Sequence, residues 1–458
     1  MRRLHEPVLV VGGGLAGSEA AWQLAIRDID VDLVEMRPTV RSPAHHTDQL
    51  AELVCSNSLK STDPNSAPGM LKHELASLGS LVLSEAYACA VPAGTALAVD
   101  RESFAQRVTA RLASHPRIAV HRTEQRVIPP DRRVIVATGP LTSAGLQDAL
   151  TQIVGPERLS FFDAASPIVD AQTIDPEFTF LQSRYDRGAG ADYLNCPLTR
   201  EQYERFVSAL ASAERVIHKD FESADLFGAC QPLEEIARQG IDALRFGPMK
   251  PIGLVDPRTS TRPWAVLQLR PENAASSCYN LVGCQTNLTF SEQRKVFSLV
   301  PGLQHAEFLR YGVRHRHTFV DAPRLLDAWL RVKRSPLMSI AGQLVGTEGY
   351  LEAAAGGLVA ALGIASWAAG VEAQPLPRET ALGALIAYAT DPATYPYQPM
   401  HVNFGLLPPA PSSIRSKSRR RAVVAQHGRE ALAAWRSQHQ PLMRRAEDAL
   451  RELRPVHE

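Results

Sequence analysis

Hydrophobic positions near the start of the chain follow the pattern of a strand, a turn and a helix. A short apolar run over residues 8–11 predicts a buried strand, and three glycines end it. Apolar residues then recur at helical spacing over 18–26, and a second apolar run over 31–34 predicts another strand. Residues 7–36 therefore predict a βαβ unit.

The pattern changes along the rest of the chain. Residues 37–70 are polar and rich in Pro, Ser, Thr and Asn, which predicts a long loop with little regular structure. Amphipathic spacing predicts a helix over 101–114, and a strand over 134–140 ends at Gly-Pro. From about 170 to 325, short β-like runs alternate with turns. Strand and helix patterns return later, and they predict a strand near 337–341, a small-residue helix over 349–365 and a charged helical tail over 428–452.

The turn after the first strand carries three glycines at the spacing of a dinucleotide-binding fingerprint. This spacing provides a tight turn, close backbone approach to a pyrophosphate and close packing of helix on strand. Glu35 follows the second strand, where an acidic residue takes ribose hydroxyls. We therefore predict that Glu35 and the turn hold a dinucleotide, the turn being Gly12, Gly13, Gly14, Leu15, Ala16 and Gly17.

Two later motifs bear on which dinucleotide is bound. Glu35 disfavours NADP, whose 2′-phosphate it would repel, and leaves NAD or FAD. Thr138-Gly139 ends a strand as in the second short motif of flavoproteins with two dinucleotide-binding elements, and Gly342-Gln343 resembles their late motif. Many such proteins have Asp after that glycine, but Gln343 can also hydrogen-bond a hydroxyl. The order of the motifs favours FAD and adds Thr138, Gly139, Gly342 and Gln343 to the predicted cofactor site.

Composition narrows the classes of protein without choosing a function. With 458 residues the chain is long enough for two to three domains at roughly 150 residues each. Its 49 basic and 48 acidic residues give no overall preference for nucleic acid or a membrane. Six cysteines without a CxxC pair predict free thiols in a reducing compartment and no metal site. We see neither a signal peptide nor an apolar stretch of about 18 residues, and we expect a cytoplasmic protein.

Two cysteines lie at the edges of polar loops. Cys55 and Cys230 are candidate nucleophiles because the thiolate is the reactive form, and nearby cations or a helix N-terminus lower its pKa. The alternative is that both are small buried hydrophobic residues, which is how we interpret Cys89, Cys196, Cys278 and Cys284. The residues alone leave both interpretations of the two loop cysteines open.

Three local segments are basic although the whole chain is neutral. They cover 242–270, 310–317 and 415–421, and the second contains Tyr311 close to Phe319. Basic residues beside aromatic ones suit an RNA backbone with stacked, splayed bases. A solvated basic surface is the alternative.

Several stretches resemble the folate- and FAD-dependent tRNA (uracil-5-)-methyltransferases. In that family the second cysteine usually follows Glu-Gly, whereas Gly228-Ala229 precede Cys230 here. The matching stretches run from end to end of the chain: VVGGGLAGSEAA, PAHHTDQLAELVCSNSLKS, LRFGPMKPIGLVDPRT, YNLVGCQTNL, PGLQHAEFLRYGVRHRHTF and AGQLVGTEGYLEAAAGG.

The resemblance implies an activity and a division of labour. It implies that FAD, reduced by NADH or NADPH, helps to pass the one-carbon unit of 5,10-methylenetetrahydrofolate to carbon 5 of the T-loop uridine, position 54, in the T-arm of tRNA. Cys230 would be the nucleophile at carbon 6 and Cys55 its partner in proton transfer, or the reverse. No membrane or DNA partner is expected. A relative that modifies the wobble uridine and a small-molecule FAD oxidoreductase are the alternatives.

The expected fold class is α/β. We predict a doubly wound, Rossmann-like FAD-binding domain of the type with two dinucleotide-binding elements, made from 1–165 and 325–458, with an inserted α+β domain over 166–324. The last part of the chain would add a helical tail.

Overall fold

The computed structural model describes most of the chain, and the described residues are 6–42, 44–155, 159–160, 163–186, 191–216, 231–271, 276, 278–315, 319–394, 397, 399–411 and 413–443. Within them the strands are β1 Val8–Val11, β2 Val31–Glu35, β3 Ser58–Ser61, β4 Ala90–Val91, β5 Ala96–Val99, β6 Ile118–Arg122, β7 Val134–Val136, β8 Leu159–Ser160, β9 Asp163–Ala165, β10 Ile168–Asp170, β11 Phe180–Leu181, β12 Leu194–Leu198, β13 Ala265–Pro271, β14 Cys278–Leu281, β15 Phe308–Arg310, β16 Val313–His315, β17 Phe319–Val320, β18 Arg331–Val332 and β19 Ser335–Ile340.

The α-helices alternate with these strands at both ends of the chain. They are α1 Leu15–Ala25, α2 Ala67–Ser77, α3 Leu81–Ala88, α4 Arg101–Ala113, α5 Ala144–Val154, α6 Arg200–Ser212, α7 Leu233–Arg238, α8 Ala243–Phe246, α9 Phe290–Phe297, α10 Ala322–Leu325, α11 Tyr350–Ala369, α12 Ala381–Thr390 and α13 Lys417–Gln438.

The first sheet has six strands in the order β18-β19-β7-β1-β2-β6. Every pairing in it is parallel except β18 with β19. Val10 lies between Leu33 of β2 and Ile135 of β7, and all three side chains are buried. A central parallel strand with a helix following it confirms the predicted α/β, Rossmann-like fold. The carboxyl ends of β1, β2, β7 and β19 therefore meet at one edge.

The second sheet is antiparallel and has the order β11-β12-β13-β14-β10-β15. The chain passes to and from it through two short antiparallel pairs, β8 with β17 and β9 with β16. Buried apolar side chains form two large cores, one from residues 8–154 and 320–443 and the other from 169–303. The domain limits at 165/166 and 324/325 are not tested by this division and stay a prediction.

Helix α11 packs against α1 at very short range because both carry small residues there. A β-carbon on Gly357 would overlap the carbonyl oxygen of Ala16. The helix is long and apolar enough to cross a membrane, and 89% of its most apolar window is buried inside the protein. The chain has no uninterrupted apolar run of this length here, because Glu352 and Ser366 lie within the helix, but its Ala, Gly and Leu residues make the helix apolar on average.

Several predicted elements agree with the structure and others need correction. The strand at 8–11 is confirmed, and the helices predicted over 101–114 and 349–365 are found as α4 and α11. The loop predicted over 37–70 is interrupted by β3 and by the start of α2, whose first turn is capped by Ser66. The helix predicted over 428–452 begins earlier, at Lys417, and ends at Gln438. Residues 444–458 lie outside the described part of the chain.

Candidate active site

The glycines of the turn between β1 and α1 differ in how much space a side chain would have. Gly12 has φ +101°, and a β-carbon there would lie 2.6 Å from the Ala137 carbonyl oxygen. A β-carbon on Gly17 would overlap the Gly12 carbonyl oxygen, whereas one on Gly14 would meet nothing within 4 Å. No side chain caps the start of α1. The first N–H groups of α1 therefore have no side-chain cap, and there is open space beside Gly14, an arrangement that suits a bound phosphate.

Glu35 ends β2 beside this turn and is buried. Its Oε2 accepts from the Gly13 N–H at 2.8 Å, and its Oε1 accepts from the Arg37 N–H at 3.0 Å and Nε at 2.8 Å. Burial alone would raise the pKa of Glu35, but Arg37 and Gly13 outweigh it and the pKa is lowered. An ionised carboxylate has about four acceptor positions, so one stays available on Oε2 for a hydroxyl.

A continuous cleft runs from Glu35 to the start of α11. Its outer part has about 520 Å³ of empty space and its inner part about 1410 Å³. Gly14, His45, Thr138 and Leu141 line both parts. The cleft follows the edge where the parallel strands end, which is where ligands bind in open α/β sheets.

Cys55 lies in the wall of the inner part and is partly exposed. The Tyr350 hydroxyl accepts from the N–H of Cys55 at 2.7 Å and from that of Ser56 at 3.0 Å. Arg101 donates to the carbonyls of Cys55 and Leu53, both at 2.7 Å. Burial, with a smaller contribution from Cys55, raises the pKa of Tyr350. Tyr350 therefore stays protonated and keeps one proton to donate.

A buried ion pair lies in the same wall. Lys60 Nζ is 2.5 Å from Glu352 Oε1, and Glu352 is almost fully buried. Glu352 Oε2 has no hydrogen-bond partner among the described atoms. Gly349, with φ +116°, leaves the space that this carboxylate occupies. Behind the pair, burial lowers the pKa of Lys72 to about 8, and its Nζ donates to the carbonyls of residues 59–61.

The second sheet reaches the Cys55 loop through one buried arginine. Arg270 of β13 donates from Nε to Asn57 Oδ1 at 2.8 Å and from Nη2 to Ser56 Oγ at 2.9 Å. Asn57 in turn donates to the carbonyls of Pro271 and Val99. The residues next to Cys55 are thus hydrogen-bonded to both cores of the protein.

Comparison with known proteins identifies the family. The glucose inhibited division protein A family profile matches residues 7–372. The methylenetetrahydrofolate–tRNA-(uracil-5-)-methyltransferase TrmFO of Symbiobacterium thermophilum is 53% identical over 440 residues, covering 95% of this chain and 98% of that protein. The protein of the same name from Moorella thermoacetica is 52% identical, with 95% and 98% covered. The chain belongs to this methyltransferase family. Among solved structures, Aquifex aeolicus GidA has a TM-score of 0.67 at 17% identity, covering 98% of this chain and 76% of that one, which shows a shared fold.

The structure brings most of the predicted cofactor residues of this methyltransferase-family chain to one cleft. The residues that line it are Gly12, Gly14, Leu15, Ala16, Glu35, Thr138, Gly139 and Gln343. Gly13, Gly17 and Gly342 are not among its lining residues. Gly13 donates to Glu35, and β-carbons on Gly17 and Gly342 would clash with Gly12 and Ala16, so these glycines allow the wall to close up.

The structure describes one of the two candidate catalytic cysteines. Cys55 lies in the cleft, whereas Cys230 lies outside the described residues. The residues on either side of the segment that contains it are described. The Val216 N–H donates to the Asn287 carbonyl at 2.9 Å, and Asn287 Nδ2 donates to the Val216 carbonyl at 3.0 Å. At the other end, the Leu233 N–H donates to the Gln285 carbonyl at 2.7 Å.

Sequence reasoning missed several residues of the site. Tyr350 and Glu352 lie in a stretch that the family resemblance already contained, but spacing alone could not show that Tyr350 contacts the Cys55 backbone or that Glu352 lies in the same cleft wall. Arg270 lies in a basic segment for which RNA contact and a solvated surface were both open, and neither applies to this residue because its side chain is buried against Asn57. Among the described residues no group of three His, Cys, Asp or Glu side chains is placed to hold a metal ion. His45 instead hydrogen-bonds Ser42 Oγ at 2.5 Å.

Proposed function

We propose that the chain methylates carbon 5 of the T-loop uridine of tRNA, with FAD as cofactor and 5,10-methylenetetrahydrofolate as one-carbon donor. NADH or NADPH supplies the reducing electrons. The observation that carries the proposal is the position of Cys55 in a cleft that starts at a dinucleotide-type glycine turn, in a chain of this methyltransferase family. We place the activity in the cytoplasm, where free thiols persist.

The cleft offers what FAD requires. The first amides of α1 suit a pyrophosphate, and the remaining acceptor position of Glu35 suits a ribose hydroxyl. Glu352 Oε2 is buried without a described partner, which fits a ligand that donates a hydrogen bond. Thr138, Gly139 and Gln343 line the inner part. When bound, FAD supplies the one-carbon and electron-transfer chemistry that side chains lack.

The protein's own groups activate the uracil. Carbon 5 of uracil is a weak nucleophile, and a thiolate that adds to carbon 6 turns it into an enolate-like carbon. We assign this addition to Cys230. The electron pair released at carbon 5 forms the bond to the one-carbon unit, as one of the two carbon–nitrogen bonds that hold this unit in 5,10-methylenetetrahydrofolate breaks.

Completion of the reaction requires loss of a proton and a reduction. The proton on carbon 5 passes to the Cys55 thiolate, and the remaining carbon–nitrogen bond to the folate breaks, its electron pair staying on the nitrogen, which leaves an exocyclic methylene on the ring. A hydride equivalent from NADH or NADPH (two electrons and a proton) converts that methylene to a methyl group. The double bond between carbons 5 and 6 then returns as the bond from Cys230 sulfur to carbon 6 breaks. Tyr350 and Arg101 hold the Cys55 backbone while the proton is transferred.

An isotope experiment tests substrate, donor and reaction together. Purified protein is incubated with FAD, NADPH, an unmodified tRNA transcript and methylenetetrahydrofolate labelled in its methylene carbon. We expect labelled 5-methyluridine at the T-loop position after nuclease digestion. Label at the wobble uridine, or flavin reduction by NADPH without any labelled nucleoside, would contradict the proposal and favour the wobble-modifying relative or a small-molecule oxidoreductase.

The same assay tests the two cysteines. Cys230→Ala and Cys55→Ala are each expected to lower product formation by at least ~10³-fold, because each removes one chemical step that a side chain performs. Bound flavin should be unchanged in the visible spectrum. Cys89→Ala is the matched control, since its thiol is buried away from the cleft. Full methyl transfer by either variant would remove that cysteine from the mechanism.

A further inference from the structure

Three aromatic rings form a stack at the surface of the second core. Tyr311 lies between Phe290 and Phe308, with ring centroids 4.6 and 5.1 Å apart and rings within 14° and 6° of parallel. Phe308 contacts the buried ring of Phe297, which roots the stack in the core. Phe290, the first residue of α9, is 54% exposed. The stack therefore ends in an aromatic side chain that more than half faces solvent.

Cationic and polar groups surround this stack. Arg294 donates to the Tyr311 hydroxyl, and its guanidinium lies 5.8 Å from the Tyr311 ring centroid. A concavity with about 820 Å³ of empty space adjoins the stack, and Arg294, His305, Glu307, Phe308 and Tyr311 are among its lining residues. In sequence the basic segment 310–317 passes through the stack at Tyr311.

The stack lies close to both ends of the segment that contains Cys230. Val216 is hydrogen-bonded to Asn287, and Leu233 to Gln285. Phe290 lies three residues after Asn287 and five residues after Gln285 in the chain. An enzyme that takes a base out of its stack must give the neighbouring bases new partners, and an exposed aromatic ring is one.

We propose that Phe290 is a stacking platform for one unpaired base of the bound tRNA, with Arg294 binding an adjacent phosphate. The inference rests on the proposed function, because it takes tRNA as the substrate. Stacking on an aromatic ring tolerates any base, so the platform contributes affinity and position rather than sequence recognition. The contact between Arg294 and a phosphate makes part of the affinity for tRNA depend on salt concentration.

Binding of an unmodified tRNA transcript to the FAD-loaded chain tests the platform. Phe290→Ala is expected to raise Kd by about 5- to 150-fold, the range that corresponds to the ~1–3 kcal/mol of one base–aromatic stack. Phe290→Trp should restore binding. Arg294→Gln should lower the slope of log K against log salt by about 0.7–0.9, since one phosphate contact is lost. Tyr87→Ala is the matched control, because Tyr87 is 52% exposed on α3 in the other core.

The outcomes separate this inference from the proposed function. If the wild type methylates tRNA while Phe290→Ala and Phe290→Leu both bind it as tightly as the wild type, the platform is wrong and the function stands. An equal loss in Tyr87→Ala would also overturn the platform. If the wild type neither binds nor methylates tRNA, both fall. Phe290→Leu keeps an apolar side chain at the start of α9, so it tests the ring even if Phe290→Ala destabilises that helix.

Discussion

Gly17→Ala is expected to abolish FAD binding and to destabilise the protein. The added methyl group would overlap the Gly12 carbonyl oxygen, which is backbone and cannot rotate away. Overpacking of well-packed sites costs typically ~1–3 kcal/mol, and a clash with backbone belongs at or above the top of that range. The start of α1 would have to move away from β1, and its amides would leave the position that suits a phosphate. Flavin absorbance after gel filtration and the urea midpoint of the unloaded protein measure the two effects.

Gly14→Ala is the informative control for that experiment. A methyl group there meets nothing within 4 Å, so the urea midpoint of the unloaded protein should match that of the wild type. Its flavin content should nevertheless fall, because the second glycine of the fingerprint is the one that the pyrophosphate approaches. Equal flavin content in Gly14→Ala and the wild type would show that the dinucleotide does not approach this turn. Unchanged stability in Gly17→Ala would show that the close contact with Gly12 can relax.

Arg270→Ala is expected to lower kcat for methyl transfer by about 10²-fold while FAD stays bound, because small displacements of a reacting group cost this much. The change removes the buried hydrogen bonds that fix Asn57 and Ser56, the two residues after Cys55. It also leaves Asn57 Oδ1 buried without its donor. We therefore expect N-ethylmaleimide to alkylate Cys55 faster in the variant than in the wild type, as measured by peptide mass spectrometry.

A second arginine of the same sheet region provides the comparison. Arg184 donates to Gln268 Oε1 of β13 at 2.8 Å and to the Ile252 carbonyl at 2.7 Å. Neither of these partners is next to Cys55 in the chain. Arg184→Ala should leave the alkylation rate of Cys55 unchanged. Arg270→Lys should recover part of kcat, since an ammonium reaches one acceptor but cannot span both as the guanidinium does. If Arg270→Ala matches the wild type in both kcat and alkylation rate, Arg270 does not position Cys55.

Local pattern was sufficient to predict which residues gather at the glycine-turn end of the cleft. The glycine spacing, the strand before it and Glu35 all lie within one βαβ unit, so short-range periodicity determined their arrangement. The later motifs at Thr138 and Gly342 were found because each ends a strand of the same parallel sheet. These residues share one edge because the carboxyl ends of parallel strands always lie on the same side of such a sheet.

The reactive half of the site could not be predicted in this way. Tyr350 meets Cys55 across a separation of 295 residues, and Arg270 meets Asn57 across 213. No periodicity links such positions. Arg270 also shows that a basic stretch does not by itself predict a surface position. Its guanidinium is buried and hydrogen-bonds two neutral acceptors, Asn57 Oδ1 and Ser56 Oγ. The three-ring stack joins α9 to β15 across a turn, and only its Tyr311 stood out in the sequence as an aromatic residue inside a basic segment.

The close packing of α1 on α11 has a consequence for synthesis of the chain on the ribosome. Ala16 emerges early, but Gly357, whose missing side chain lets the two helices meet, is made more than 300 residues later. At ~5–20 residues per second the interval is roughly 20–70 s. The β7 edge has no native partner until β19 is made, and the surface of α1 that packs on α11 has none until α11 is made. The second core comes from residues 169–303, which are all made within that interval. We therefore expect the second core to form before the first core is completed by β19 and α11.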